Sequence, residues 1–138
     1  MHYFDASALT KRYVRERGSV KVRRLLSADV AATSRLSHVE IVSALMRRTR
    51  EGLLSEARRE SALAMLDDDL SAMLIVELSP QVITRANALL RLHALRAGDA
   101  IQLASCLHLQ NELKEQMTLV AFDDRLAAAA RAEKLPLL

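Results

Sequence analysis

Four acidic residues stand where their surroundings make chemistry conceivable. Asp5 ends the short apolar run MHYFD, and small residues follow it at once: Ala6, Ser7 and Ala8. Glu40 falls one turn into the helical pattern after a second apolar run. Asp99 opens the helical stretch after HALRAG, and Asp123 follows MTLVAF with Asp124 beside it. Carboxylates crowded into one pocket raise each other's pKa values unless a cation lies among them. Hard oxygen donors of this kind suit Mg²⁺ or Mn²⁺, and two such ions can activate a water and steady the leaving oxygen of a phosphodiester.

Each acid also has a purely structural reading. An aspartate at a helix N-terminus accepts backbone N–H groups and opposes the helix dipole, which fits Asp5, Asp99 and Asp123. Ser37 and Glu40 spell a capping box. The functional reading therefore rests on the set. Other chemistries lack their residues: there is no Walker-type glycine loop, no G-x-G-x-x-G, no nucleophile elbow and no Cys/His cluster at zinc spacing.

To bring the four acids together, the chain needs a scaffold that its pattern supplies. A length of 138 residues fits one domain, 1–138. Half the residues are hydrophobic but only 3% are aromatic, so the core is built from Leu, Ala, Val and Met. Glycine and proline are too scarce for a linker (Gly 3, Pro 2). Strands are expected at His2–Phe4, Val30–Thr33, Leu74–Leu78 and Met117–Phe122, with a further edge strand at Leu135–Leu138. Helical patterns fill Lys11–Val14 and Val20–Leu26, broken near Gly18, then Leu36–Arg50, Ser55–Ala72, Pro80–Leu92, Asp99–Leu113 and Asp124–Glu133. Strands alternating with helices imply right-handed crossovers and an α/β fold with a parallel central sheet flanked by helices. Ligands then bind beyond the carboxyl ends of the strands.

Net charge is +3 and the basic residues are mostly Arg, which grips phosphate in a bidentate fork. That leans towards a nucleic-acid partner, although an Arg-rich codon usage would give the same composition. The single cysteine, Cys106, excludes an internal disulfide and suits a reducing cytoplasm. Residues 1–20 hold no long apolar stretch, so neither a signal peptide nor a membrane span is expected.

The segment YFDASALTKRYVRERGS resembles the opening of the PIN domain, especially in the toxins of VapBC toxin–antitoxin pairs. ATSRLSHVEIVSALMRR resembles the segment carrying that family's Glu, here Glu40. LHALRAGDAIQLASCLHL looks like its L-R-x-x-D-A-x-x-L-A segment, with Asp99. LVAFDDRLAAAA is similar to its terminal T-x-D-x-x-L stretch, which maps onto Ala121, Asp123 and Leu126. The resemblance implies a single Rossmann-like PIN domain and a Mg²⁺- or Mn²⁺-dependent ribonuclease. It also implies an RNA substrate, a cognate VapB-like antitoxin and a homodimer. By matched position, Asp5, Glu40, Asp99 and Asp123 are its catalytic, metal-binding carboxylates, with Ser7 as a supporting polar residue. Ala121 departs from the pattern, where a Thr or Ser hydroxyl is common; Asp124 is read as added charge at a helix start. The expected chemistry is in-line attack of an activated water on phosphorus, leaving 5′-phosphate and 3′-hydroxyl ends.

Other residues carry weaker signals. Lys11 and Arg12 line either an RNA groove or a solvated helix face. Arg96 approaches a phosphate or a pocket carboxylate, and His93 reads as a surface or partly buried polar residue. MRRTRE and EARRES read as solvated helix surface, and Cys106 and Met117 as core. On the toxin reading, the helices between Arg12 and Arg59 form the antitoxin groove, with Leu25, Leu26, Leu45 and Met46 as candidate apolar contacts or plain core. Two rivals stand beside the nuclease. One is a non-catalytic interaction module with the same fold, its acids acting only as caps. The other is a phosphoacceptor signalling domain, disfavoured because Asp5 has no acidic neighbour and VAFDDR supplies Asp where a lysine is wanted.

Overall fold

The structure is a computed structural model and describes all residues, 1–138. In chain order the elements are β1 His2–Phe4, α1 Ala6–Tyr13, α2 Ser19–Ala28, β2 Ala31–Ser34, α3 Arg35–Arg50, α4 Glu56–Ala72, β3 Leu74–Val76, α5 Pro80–Leu92, α6 Ala97–Leu113, β4 Thr118–Val120 and α7 Asp124–Ala132. All strand pairs are parallel, in the order β3-β2-β1-β4. His2 faces Ala31 on one side and Thr118 on the other.

Successive side chains of a strand point to opposite faces, and here both faces are covered. Tyr3 and Leu119 enter one core with α5, α6 and α7. Phe4 and Val120, one residue on, enter a second core with α1, α2, α3 and α4. The result is a three-layer α/β/α domain in which β1, β2 and β4 are largely buried and only the edge strand β3 is partly exposed, at Leu74. Short caps set the helix starts: Ser55 Oγ accepts from the Arg58 N–H and Ser79 Oγ from the Val82 N–H, with Pro80 opening α5.

Two expectations are corrected. The terminal edge strand shrinks to one bridge, Leu119 to Leu137, because Pro136 has no N–H to continue a ladder. The capping box at Ser37 and Glu40 does not form. Ser34 caps α3 instead, accepting from the Leu36 N–H, which leaves Ser37 and Glu40 inside the helix and free for other contacts.

The chain steps from β1 to β2 to β3 in one direction, then returns to place β4 on the far side of β1. The strand order thus reverses between β1 and β4. In an open parallel sheet, the crevice at that reversal is where ligands bind.

Candidate active site

Asp5 and Asp123 flank that crevice. The Asp5 N–H extends the β1–β4 pairing by donating to the Val120 carbonyl at 3.3 Å. Its side chain then turns to cap α1: the Ala8 N–H donates to Oδ1 at 2.8 Å and the Ser7 hydroxyl to Oδ2 at 2.9 Å. Asp123 follows β4 and caps α7, accepting from the Leu126 N–H at 2.9 Å. The capping reading of these two residues is therefore correct as far as it goes. Asp99 sits in the first turn of α6, behind Arg96 as N-cap.

An open cleft of about 490 Å³ is walled by Glu40, Asp99, Asp123 and Ser7, with Lys11, Glu16, Arg96, Gly98 and Phe122 on its margin. Asp5 lies buried behind Ser7, only 3% exposed. Burial lifts the Asp5 pKa from 3.8 to about 6; the bonds from Ala8 and Ser7 pull it down, while Asp99 and Asp123 push it up. Glu40 is raised by burial and then by Asp5 and Asp99. Asp99 is raised by burial and then by Asp123, with the Arg96 N–H and the charges of Arg96 and Arg125 opposing. The four acids thus share one field of mutual repulsion.

They do not form a closed cage. No three acidic, His or Cys side chains converge tightly enough to hold an ion as they stand. The donors are hard oxygens of the kind Mg²⁺ and Mn²⁺ take. Asp5 meets no Lys or Arg within ion-pair distance, its bonded partners being Ser7 and Ala8. On donor chemistry and charge, the set fits a divalent cation.

Under the acids runs a buried polar chain. The Tyr3 hydroxyl donates to Gln102 Oε1 at 2.9 Å, Gln102 Nε2 donates to Ser37 Oγ at 2.9 Å, and Ser37 meets Thr33 Oγ1 at 2.6 Å. Thr33 in turn donates to the Phe4 carbonyl at 2.7 Å. The Gln102 amide also opposes the rise in the Glu40 pKa. Sequence reasoning missed Gln102; its signal is an amide three residues after Asp99, in an otherwise apolar stretch. It missed Glu16 as well. Burial raises Glu16, but bonds from Lys11 and Arg48 outweigh it and hold the carboxyl below its ordinary range.

The remaining candidates separate. Lys11 stays at the cleft, 3.2 Å from Glu16 Oε1 and 4.6 Å above the Phe122 ring. Arg12 turns away to Asp69. Arg96 lines the cleft without a carboxylate partner, whereas His93 bonds Glu133 Oε1 at 2.8 Å outside it. Asp124 is exposed in the first turn of α7 and lines a different hollow with Ala121. Cys106 and Met117 are core. So is Leu45, while Leu25, Leu26 and Met46 are only partly buried, the first two packed against the same layer.

Comparison with known proteins gives a consistent result. The family model described as "PIN domain" matches residues 2–132. Ribonuclease VapC45 and Ribonuclease VapC49 of Mycobacterium tuberculosis are each 36% identical over 131 residues, covering 94% of this chain and 89% of theirs. Among solved structures, M. tuberculosis VapC20, described as a sarcin-ricin loop cleaving toxin, aligns with TM-score 0.69 at 18% identity over 94% of this chain and 95% of its own. VapBC2 of Rickettsia felis, bound to a promoter DNA fragment, aligns with TM-score 0.67 at 15% identity over 100% and 98%. No helix of the chain is long and apolar enough to cross a membrane.

Proposed function

The chain belongs to the PIN-domain family, and from that membership we propose that it is a Mg²⁺- or Mn²⁺-dependent endoribonuclease, the toxin of a type II toxin–antitoxin pair acting in the cytoplasm. The observation that carries the reading is the cleft at the β1–β4 reversal, which Glu40, Asp99 and Asp123 line in front of the buried Asp5. Residues 1–138 act as one domain. The named relatives are ribonucleases, and the Rickettsia structure is of a VapBC pair. By extension, the partners here are an RNA substrate, a VapB-like antitoxin and a second copy of the chain.

Asp5, Glu40, Asp99 and Asp123 would hold the cation, which supplies a polarised water and positive charge at the phosphate. The rest falls to the chain itself. Ser7 and the Ala8 N–H fix Asp5 in one orientation. Gln102, held by Tyr3 and Ser37, favours the ionised form of Glu40. Arg96, unpaired at the margin, faces an incoming phosphate and shares its developing charge. Ala121 offers no hydroxyl beside Asp123, so any orienting of water there falls to other groups.

The test is cleavage of a labelled RNA panel with Mg²⁺, Mn²⁺ or EDTA, beside Asp5→Asn and Asp99→Asn variants checked for folding. Cutting that needs the metal, leaves 5′-phosphate ends and falls at least a hundredfold in both variants is expected. Cyclic 2′,3′-phosphate products would overturn the mechanism. No cutting and no Mn²⁺ binding would leave the acids as caps of an interaction module.

A further inference from the structure

A second cavity, about 480 Å³, lies where the end of α1 meets α2, α3 and α4. Its walls carry Arg12, Arg15, Arg23, Arg48 and Arg58, and no carboxylate lines it. The floor is apolar, from Val14, Leu54 and Ala62. Unneutralised arginines around a hollow repel one another unless an anion lies between them. Two of the five are braced from outside: Asp69 holds Arg12 Nε at 3.1 Å, and Glu16 pairs with Arg48. Arg15, Arg23 and Arg58 have no carboxylate within ion-pair distance; Arg23 contacts only the Arg12 carbonyl, at 3.5 Å. The guanidinium fork matches phosphate oxygens two at a time.

This cavity is not isolated from the carboxylate cleft. Arg48 also lines an intervening hollow with Glu16, Ser7 and Glu40, and those last three line the cleft itself. Along α3, Arg48 stands eight residues beyond Glu40, about 12 Å at ~1.5 Å per residue. One surface track therefore leads from the acids, past Glu16, to the arginines.

We propose that the arginine cavity is a binding site for the phosphate backbone of the RNA, gripping the strand a few nucleotides from the bond that is cut. The inference rests on the ribonuclease reading for its substrate but not for its geometry. The acidic cleft repels a polyanion, and the arginine cavity supplies the compensating attraction. MRRTRE and EARRES, which read in sequence as solvated helix surface, thereby contribute Arg48 and Arg58 to a site.

The test measures binding of a labelled single-stranded RNA in EDTA, where nothing is cut, across a salt series. Arg15→Gln and Arg58→Gln remove no internal ion pair, so folding is expected to survive; Arg91→Gln on α5 is the control. The double variant is expected to bind about tenfold more weakly, with its salt slope smaller by ~0.7 for each phosphate that the arginines no longer neutralise. With Mg²⁺, cleavage of a long RNA should lose affinity while cleavage of a substrate too short to leave the cleft stays unchanged. Equal affinity and slope in the double variant and wild type overturn the site while leaving the nuclease standing. Weakened binding in the double variant, alongside a wild type that never cuts RNA, supports the site and removes the nuclease. If the double variant keeps its RNA affinity but loses direct binding of polyglutamate, the cavity serves an acidic protein segment and the RNA assignment falls.

Discussion

Asp5 combines a cap and a buried charge in one side chain, and the two roles respond differently to protonation. Its oxygens stay bonded to Ala8 and Ser7, while burial and neighbouring acids lift its pKa to about 6. Between about pH 4 and pH 6 the folded chain thus holds a proton that the unfolded chain has released. Stability from this group is greatest below pH 4, declines as pH rises through 6, and is flat beyond. A rise from 3.8 to about 6 corresponds to about 3 kcal/mol as an upper scale. Asp5→Asn keeps an oxygen for the cap but cannot ionise. In urea titrations without divalent ions, the variant should gain on wild type from pH 4 to pH 6 and stay ahead by about 1–3 kcal/mol at pH 8. A difference that does not change with pH would mean the charge is solvated after all. The cap at Asp5 was legible in sequence, because an Asp between a strand and small helix-starting residues signals it; the burial of its charge depends on packing across the sheet and was not.

At the level of elements, the site depends on how closely α3 approaches the start of α6. Gly98, in the first turn of α6, leaves room for Glu40: a Cβ there would lie 3.2 Å from Glu40 Oε1. Alanine suits a helix better than glycine by up to about 1 kcal/mol, so Gly98→Ala should melt no lower than wild type. It should nonetheless weaken Mn²⁺ binding and RNA cleavage several-fold, because the Glu40 carboxylate has to give way. Paired melting curves and Mn²⁺ titrations check this, and unchanged affinity would place Glu40 outside the ion's reach. Sequence pattern located every helix and four strands, since apolar spacing and the Ser79-Pro80 signal are local. It misassigned the cap of α3, reading Ser37 and Glu40 as a capping box in the run ATSRLSHVE; the structure caps the helix with Ser34 and commits Ser37 to Gln102 and Thr33. The arginine cavity was not legible, because α1, α2, α3 and α4 each contribute to it and only packing brings them together.

For the whole molecule, the decisive feature is a thin sheet shared by two cores. Strands of three or four residues cannot stand alone; Tyr3 and Phe4, adjacent in sequence, anchor opposite layers. Loosening either layer exposes the strand that supports the other, so the cleft between β1 and β4 exists only while both are intact. Leu66 on α4 and Leu103 on α6 are fully buried in the two different layers. Leu66→Ala and Leu103→Ala should each cost about 2–5 kcal/mol, and each should shift one common unfolding transition. Far-ultraviolet circular dichroism and an activity assay should lose signal at the same urea concentration in both variants. Separate transitions would mean that the α1–α4 layer unfolds by itself. In that event the arginine cavity could open and close independently of the sheet, and RNA affinity would fall before cleavage of short substrates does.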